Sequence, residues 1–244
     1  MEFTVRMIRT VLISLVTAIS GTLCIIFGWH KPAYYLISRY FWSPLLLFIA
    51  NVKVDKSLLN ASDLPPCIFY SNHRSHYDIP TLMFTIPRPL YFLAKKELKS
   101  VPFLGWGMMA VGMIFIDRKD RASAIQSMER AGRQIKRGKS IVTFPEGTRS
   151  SSKDILPFKK GTFHLAKSQG IPLVPIAISG SEKVLPKHGK LRSGRIKIKM
   201  GEPLSAEEMK VMDLPGLRDE AFTRLQNLVH EADNSELAVK PESA

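Results

Sequence analysis

Two histidines, Ser75 and Asp78 fall inside YSNHRSHYD (70–78), at the end of the apolar run CIFY (67–70). A neutral imidazole can take a proton from a hydroxyl near neutral pH. A carboxylate on its other ring nitrogen fixes the tautomer and stabilises the imidazolium that forms. His73 and Asp78 are candidates for that work, although a histidine and an aspartate at this spacing are more often solvated loop residues than a dyad. Five residues along a regular helix turn through about 140°, so the two side chains meet only if the chain bends between them. Asp78, ahead of Ile79, Pro80 and Thr81, reads as a helix N-cap with Pro80 in the first turn, which supplies the bend. His73 and His76, three apart with Asp78 as a third ligand, could instead hold a metal. No cysteine or further histidine cluster completes such a site. Ser75 lies beside the histidines, but no G-x-S-x-G elbow frames it. Direct activation of a substrate hydroxyl by His73 is the simpler scheme.

Two further polar stretches hold residue types that could bind phosphate. FPEGTRSSS (144–152) offers Glu146, Gly147, Thr148 and Arg149 after an apolar run. Glycine lets the backbone approach a ligand, threonine donates a hydrogen bond, and the guanidinium fork matches phosphate. A solvated turn is the competing reading. DRKDR (117–121) brings Arg118, which can grip phosphate or form a surface ion pair with Asp117 or Asp120.

The elements that must position these loops are short apolar runs. CIFY (67–70), LYFLA (90–94), GMIFI (112–116), SIVTF (140–144) and LVPIAI (173–178) read as buried strands. IKIKM (196–200) alternates, with Arg195, Lys197 and Lys199 opposite Ile196, Ile198 and Met200, and reads as an edge or half-exposed strand. Residues 120–137 have a helical period with Ala124, Met128, Ala131 and Ile135 on one face, and Gly138 follows as a C-terminal cap. LPGLRDEAFTRLQNLVHEA (214–232) supplies a last amphipathic helix, and the tail 234–244 is polar. Strands alternating with helices predict an α/β fold with a mostly parallel sheet flanked by helices. Functional residues in such sheets sit in loops beyond the strand ends, so the three polar loops can converge on one site.

The N-terminus is of another kind. VLISLVTAISGTLCIIFGW (11–29) has no charge, with Arg6 and Arg9 before it and His30 and Lys31 after it. At about 1.5 Å per residue it is about 28 Å long, close to the hydrocarbon thickness of a bilayer. It is long for a cleaved signal, and no small-residue cleavage pattern follows. The next apolar stretch, 34–50, mixes aromatics with Arg39, which suits the lipid headgroup level. Residues 1–50 therefore read as a membrane-attached helical pair, spanning or half-inserted. In the 244-residue chain Lys and Arg outnumber Asp and Glu by 35 to 21, a net +14, which calls for an anionic partner. The apolar N-terminus selects membrane lipid over nucleic acid, for which no recognition motif is present. Cys24 and Cys67 form neither a disulfide framework nor a zinc spacing, and they lean towards a reducing compartment.

NHRSHYD (72–78), GMIFIDR (112–118), FPEGTR (144–149) and VPIAIS (174–179) resemble, in order, the four sequence blocks of the glycerolipid acyltransferases. The nearest likeness is to 1-acyl-sn-glycerol-3-phosphate acyltransferases, over about residues 65–205. The resemblance implies an acyltransferase domain over 51–233, between the N-terminal pair and the polar tail. It implies a membrane-bound enzyme with its active domain on the cytoplasmic side of the inner membrane. His73 would be the general base and Asp78 its orienting carboxylate. Arg118, Glu146, Gly147, Thr148 and Arg149 would hold the acceptor, lysophosphatidic acid, with Asn72 and Ser75 as the polar residues framing the first block. Pro175 looks structural or part of the donor side. Lys95 or Lys96, in KKEL (95–98), could assist the phosphate or the thioester oxyanion; Lys96 is the one taken here. No role carries over to Arg74 or His76. The donor would be acyl-CoA or acyl carrier protein, with no metal and no cofactor.

The basic segment 183–199, with seven Lys or Arg and no acid, is a solvated face or a contact for anionic headgroups or an acidic carrier protein. A thioesterase using His73 and Asp78 on water is a rival reading, as is a same-family enzyme acting on another lysolipid.

Overall fold

The computed structural model describes residues 2–28, 30–58, 64–117, 120–152 and 154–235. Helix α1 (Glu2–Phe27) is followed by a second helical run, α2 (Lys31–Leu36), a π-helical turn (Ile37–Trp42) and α3 (Ser43–Ile49). The π turn has a local cause. Pro44 lacks an N–H and would crowd the carbonyl four residues back. Widening the preceding turn lets Ser43 N–H donate to Ser38 O instead.

Seven strands follow: β1 (Val52–Leu58), β2 (Ile68–Ser71), β3 (Leu90–Lys95), β4 (Ile114–Ile116), β5 (Ser140–Thr143), β6 (Leu173–Ser179) and β7 (Gly194–Met200). They form one sheet in the order β1-β7-β6-β2-β5-β3-β4. Every neighbouring pair is parallel except β6 with β7. The sequence expectation of a mostly parallel sheet flanked by helices therefore holds. Strands β2, β5 and β6 are buried along their whole length, which is why they read as unbroken apolar runs rather than alternating ones.

Of the two readings of the alternating strand, half-exposed holds and edge does not. β7 is an interior strand between β6 and β1, and the edge belongs to β1. β1 carries Lys53 and Lys56 exposed and a register shift after Asp55, features that blunt an edge against further pairing. β7 alternates because only one of its faces is fully covered, with Ile196 and Ile198 buried. Pro175 lies inside β6, where the antiparallel ladder ends at Ile176–Met200. Its carbonyl accepts from Gly201 N at 3.0 Å, so the missing N–H falls just past the ladder.

Helices α4 (Asp78–Thr85), α5 (Leu104–Ala110), α6 (Arg121–Lys136), α7 (Gly161–Gln169), α8 (Ser181–Val184), α9 (Ala206–Val211) and α10 (Leu214–Asn234) fill the connections and the C-terminus. α6 is capped by Asp120, which accepts from Ala122 N and Ser123 N. It ends at Gly138, whose φ is 84°. Gly138 N and Lys139 N return to Ile135 O and Gln134 O, closing the left-handed cap expected there. Ala131 and Ile135 are buried on its inner face. α10 extends to Asn234 and packs over β6 and β7. The polar tail beyond Ser235 lies outside the described residues.

Candidate active site

β2 and β5 run parallel with Tyr70 paired to Thr143. The loops leaving them start at the same end of the sheet, and His73 and Glu146 each come three residues later. The pairing brings them together: Glu146 Oε1 accepts from His73 N at 2.6 Å, and Glu146 Oε2 from Leu156 N at 2.9 Å. Ser150 N donates to His73 O at 2.7 Å. The backbone of residue 73 is thus held on both sides by the second loop.

His73 Nδ1 lies 2.8 Å from Asp78 Oδ2. Asp78 is fully buried, and the same oxygen accepts from Arg74 N and Ser75 N at 2.9 Å each. An ionised carboxylate only accepts, so Nδ1 carries the proton and Nε2 is left for a ligand. The expected N-cap is corrected by one residue. Tyr77 is the cap and Asp78 the first helical residue, because the carboxylate turns back to the loop's own N–H groups. Phe144 stacks on the imidazole with centroids 4.0 Å apart and planes 14° from parallel, fixing the ring plane.

Asn72 and Ser75 are turned to the protein interior. Asn72 exchanges two 2.8 Å bonds with the backbone of Ile178, tying the loop to β6. Ser75 Oγ donates to Leu185 O at 2.9 Å and accepts from Tyr77 N at 3.1 Å. Arg74, assigned no role from sequence, is buried beneath the loop. Its guanidinium lies 3.8 Å from Glu182 on α8 and 3.6 Å from Asp233 on α10.

His73 opens onto a cavity of about 1130 Å³, at or above the upper end of small-molecule pockets, roughly 300–1,000 Å³. One end is polar, lined by His73, His76, Thr148, Arg149, Lys159 and Lys160. The remainder is mostly apolar and runs between α1, α4, α5, β3 and α6, with Ile13, Met83, Leu93, Met108 and Met128 on its walls. Gly147, at φ 74°, makes the turn that presents Thr148 and Arg149. A Cβ there would lie 2.8 Å from Lys159 Nζ, so the missing side chain is what lets this ammonium lie across the loop. Desolvation at the cavity wall, reinforced by Arg149 and His73 and opposed by Asp78, pulls His76 below the ordinary imidazole range. Burial pushes Glu146 up to about 7, against its two backbone donors, which favour the charged form.

Lys96 does not line the cavity; it pairs with Asp117 at the surface at 3.1 Å, whereas its neighbour Lys95 does line it. Arg118 lies outside the described residues. Sequence reasoning passed over Lys159 and Lys160. Their signal was the KKG just before α7, where cations gather at a helix N-terminus instead of the carboxylates usual there.

The acyltransferase family model matches residues 53–179. The 1-acyl-sn-glycerol-3-phosphate acyltransferase of Saccharomyces cerevisiae is 35% identical over 215 residues, covering 83% of this chain and 70% of the yeast protein. The enzyme of the same name from Salmonella typhimurium is 30% identical over 210 residues, 85% of each chain. The crystal structure of the 1-acyl-sn-glycerophosphate (LPA) acyltransferase PlsC from Thermotoga maritima superposes with a TM-score of 0.68 at 24% identity, covering 95% of this chain and 100% of that one, and shares the fold. A family model over more than half of the chain, with relatives 30–35% identical that are covered to two thirds or more, shows that the chain belongs to the 1-acyl-sn-glycerol-3-phosphate acyltransferases.

Proposed function

We propose that this enzyme moves a fatty acyl group from the thioester of acyl-CoA or acyl carrier protein to the sn-2 hydroxyl of 1-acyl-glycerol 3-phosphate, giving phosphatidic acid for phospholipid synthesis. One observation carries the reading: an imidazole backed by a buried carboxylate sits where a long apolar cavity meets a cluster of cations. The acceptor has the same polarity, with one acyl tail, a phosphate and a free hydroxyl between them. The relatives named above act on this acceptor by name.

In this mechanism Arg149, Lys159 and Lys160 bind the phosphate, with Thr148 as a further donor. The hydroxyl then lies at His73 Nε2. His73 takes its proton as the oxygen attacks the thioester carbonyl, and Asp78 stabilises the imidazolium. The tetrahedral oxyanion collapses to the new ester, and the thiolate leaves with the proton that His73 returns. Lys95 on the cavity wall can offer an ammonium to the oxyanion. Asn72, Ser75 and Glu146 position the loop that carries His73. No step calls for a metal or an acyl-enzyme. A thioesterase would use the same pair on water but has no use for three cations beside it. Another lysolipid with an anionic headgroup is the nearest alternative.

Membrane attachment through the N-terminal pair belongs to the same reading. Over Met7–Phe27, α1 is long and apolar enough to cross a bilayer, with a mean hydropathy of 2.3. Ile13, Ser14, Thr17, Gly21 and Cys24 on one flank line the cavity, and Ile8, Val11, Leu12, Leu15 and Ile19 on the other are exposed. A helix walled on one flank by its own domain suits half-insertion, lying along the membrane surface, better than spanning. The cation-rich side then faces the cytoplasm, where positively charged segments stay.

His73→Ala, purified in detergent, is expected to lose about 10²–10⁴-fold in turnover with an unchanged unfolding temperature. The assay sets lysophosphatidic acid against other lysolipids, and acyl-CoA against acyl carrier protein. Substantial turnover by the folded variant would remove His73 from the chemistry. A preference for an uncharged lysolipid would remove the phosphate reading.

A further inference from the structure

Between β3 and β4 the chain runs from Val101 to Met113 without a charge, yet only part of this stretch serves the cavity. Leu104, Met108, Val111 and Met113 line it. The outward side chains are Val101, Phe103, Trp106 and Met109, each between 38% and 46% exposed. Water is a poor environment for four large apolar groups within nine residues, two of them aromatic rings whose centroids lie 5.7 Å apart.

The backbone goes to some cost to hold them there. Phe103 has φ 59° and ψ −52°, and Leu104 N donates to Pro102 O at 2.6 Å. This is a γ-turn of the uncommon, strained hand. It is clamped against α1 at glycines. A Cβ on Gly21 would lie 2.3 Å from Phe103 O, one on Gly107 2.9 Å from Gly21 Cα, and one on Gly28 2.6 Å from a Val111 methyl. Positions 103, 107 and 111 therefore run along 21, 24 and 28, at the end of α1 and just past it, with backbone against backbone at Gly21, a seam of small residues of the kind that joins helices in lipid. Because of this seam, the outward residues of α5 continue the exposed surface of α1 at Ile19, Ile25, Ile26 and Phe27. Lys95, Lys96 and Lys99, all exposed, immediately precede the apolar stretch, the arrangement of a segment with cations at the headgroups and aromatics below them.

We infer that Val101–Ala110 is a third membrane-inserted element, docked on α1, with Phe103, Trp106 and Met109 in the hydrocarbon of the bilayer just beneath the headgroups. The occupant of this face is lipid because the face is continuous with that of α1, which is apolar over a bilayer's thickness. The placement rests on the membrane attachment of α1 proposed above. It gives the enzyme apolar contacts with the bilayer on both sides of the α1 cavity wall, so the wall is held at the lipid surface along two lines.

Trp106 is its own reporter. Trp29 and Trp42 are replaced by Phe in the full chain, leaving Trp106 alone. The protein is bound to vesicles of anionic and zwitterionic phospholipid, with or without bromine high on the acyl chains. Flotation with the vesicles reports attachment through α1; quenching by bromine reports α5. The expected result is flotation together with loss of roughly half of the Trp106 fluorescence, as for a side chain at the headgroup–acyl boundary. Flotation without quenching would overturn the assignment of α5 and leave α1 attached. No flotation would overturn both. Should the double variant fail to fold, Trp106→Phe in the otherwise native chain decides: bromine quenching must fall relative to the native protein, and equal quenching overturns the inference.

Discussion

Glu146 shows how a single side chain can shape a site by holding the backbone around it. Its two oxygens tie His73 N to Leu156 N, so it fixes where the imidazole stands. Burial is the larger influence and raises its carboxyl from 4.5 to about 7. A raised carboxylate pKa means that the folded state holds the proton more tightly than the unfolded one. The fold therefore loses stability as pH rises from 4.5 through about 7, by an amount on the order of 3 kcal/mol. Glu146→Gln cannot ionise, and denaturant midpoints measured across that window in detergent should lose this downward slope. Absolute stability of the variant falls, because the amide leaves one backbone donor unpaired. An unchanged slope would place the titration elsewhere. In the proposed mechanism the wild-type activity profile carries the opposite pull, since His73 must be neutral to act as base. His76 belongs to the same scale: a reading of the motif alone treats it as a bystander, whereas it stands on the cavity wall with Arg149.

At the scale of elements, the site is made by parallel pairing and by close helix contact. Parallel strands deliver their loops to one end of the sheet, so NHRSHYD and FPEGTR meet although 73 positions separate His73 from Glu146. The seam between α1 and α5 is the other element-level device. Gly21→Leu puts a side chain where the carbonyl of Phe103 lies 2.3 Å from a Cβ, and the two helices must part. The expected outcome is a fall in stability of about 1–3 kcal/mol, as for other overpacked contacts, together with a changed preference among acyl chain lengths, because Gly21 and Met108 line the same cavity. Unfolding in detergent and a chain-length series check both effects. Gly21→Ala should show the same direction, more weakly.

For the whole molecule, the N-terminal pair is built into the core of the domain. Tyr34, Leu47 and Ala50 are buried with the sheet residues in one core, Tyr34 Oη bonds to Leu90 O, and Arg39 Nη1 donates to Ile86 O at 2.6 Å. Removing residues 1–50 would open the cavity along its length. The truncated chain should lose transfer even to a short-chain acceptor that needs no membrane, and should bind an apolar dye; full activity on the short-chain acceptor would reduce the pair to an anchor. The net charge of +14 is also distributed by the fold. In the basic segment 183–199, Lys197 and Lys199 are tied to the end of α10 through Ala232 O and Glu231. Leu185, Gly189 and Leu191 line the cavity, and Lys183, Lys190 and Arg192 remain exposed near it.

The buried strands, the capped helix 121–136 and the His73–Asp78 pair were legible in the chain because each is written in a local pattern. An apolar run marks a strand covered on both faces, a 3.6-residue period with a glycine stop marks a helix, and H-x-x-x-x-D is a short span that bends into the start of α4. β1 escaped because its mixed VKVDKSL resembles a polar connector, and that omission made β7 look like an edge. Tertiary contacts alone decided that Glu146 carries the backbone of His73, that Lys159 and Lys160 join Arg149, and that α1 and α5 close one wall. Each of these depends on residues far apart in the chain meeting through strand pairing or a glycine seam, and no periodicity along the chain encodes such a meeting.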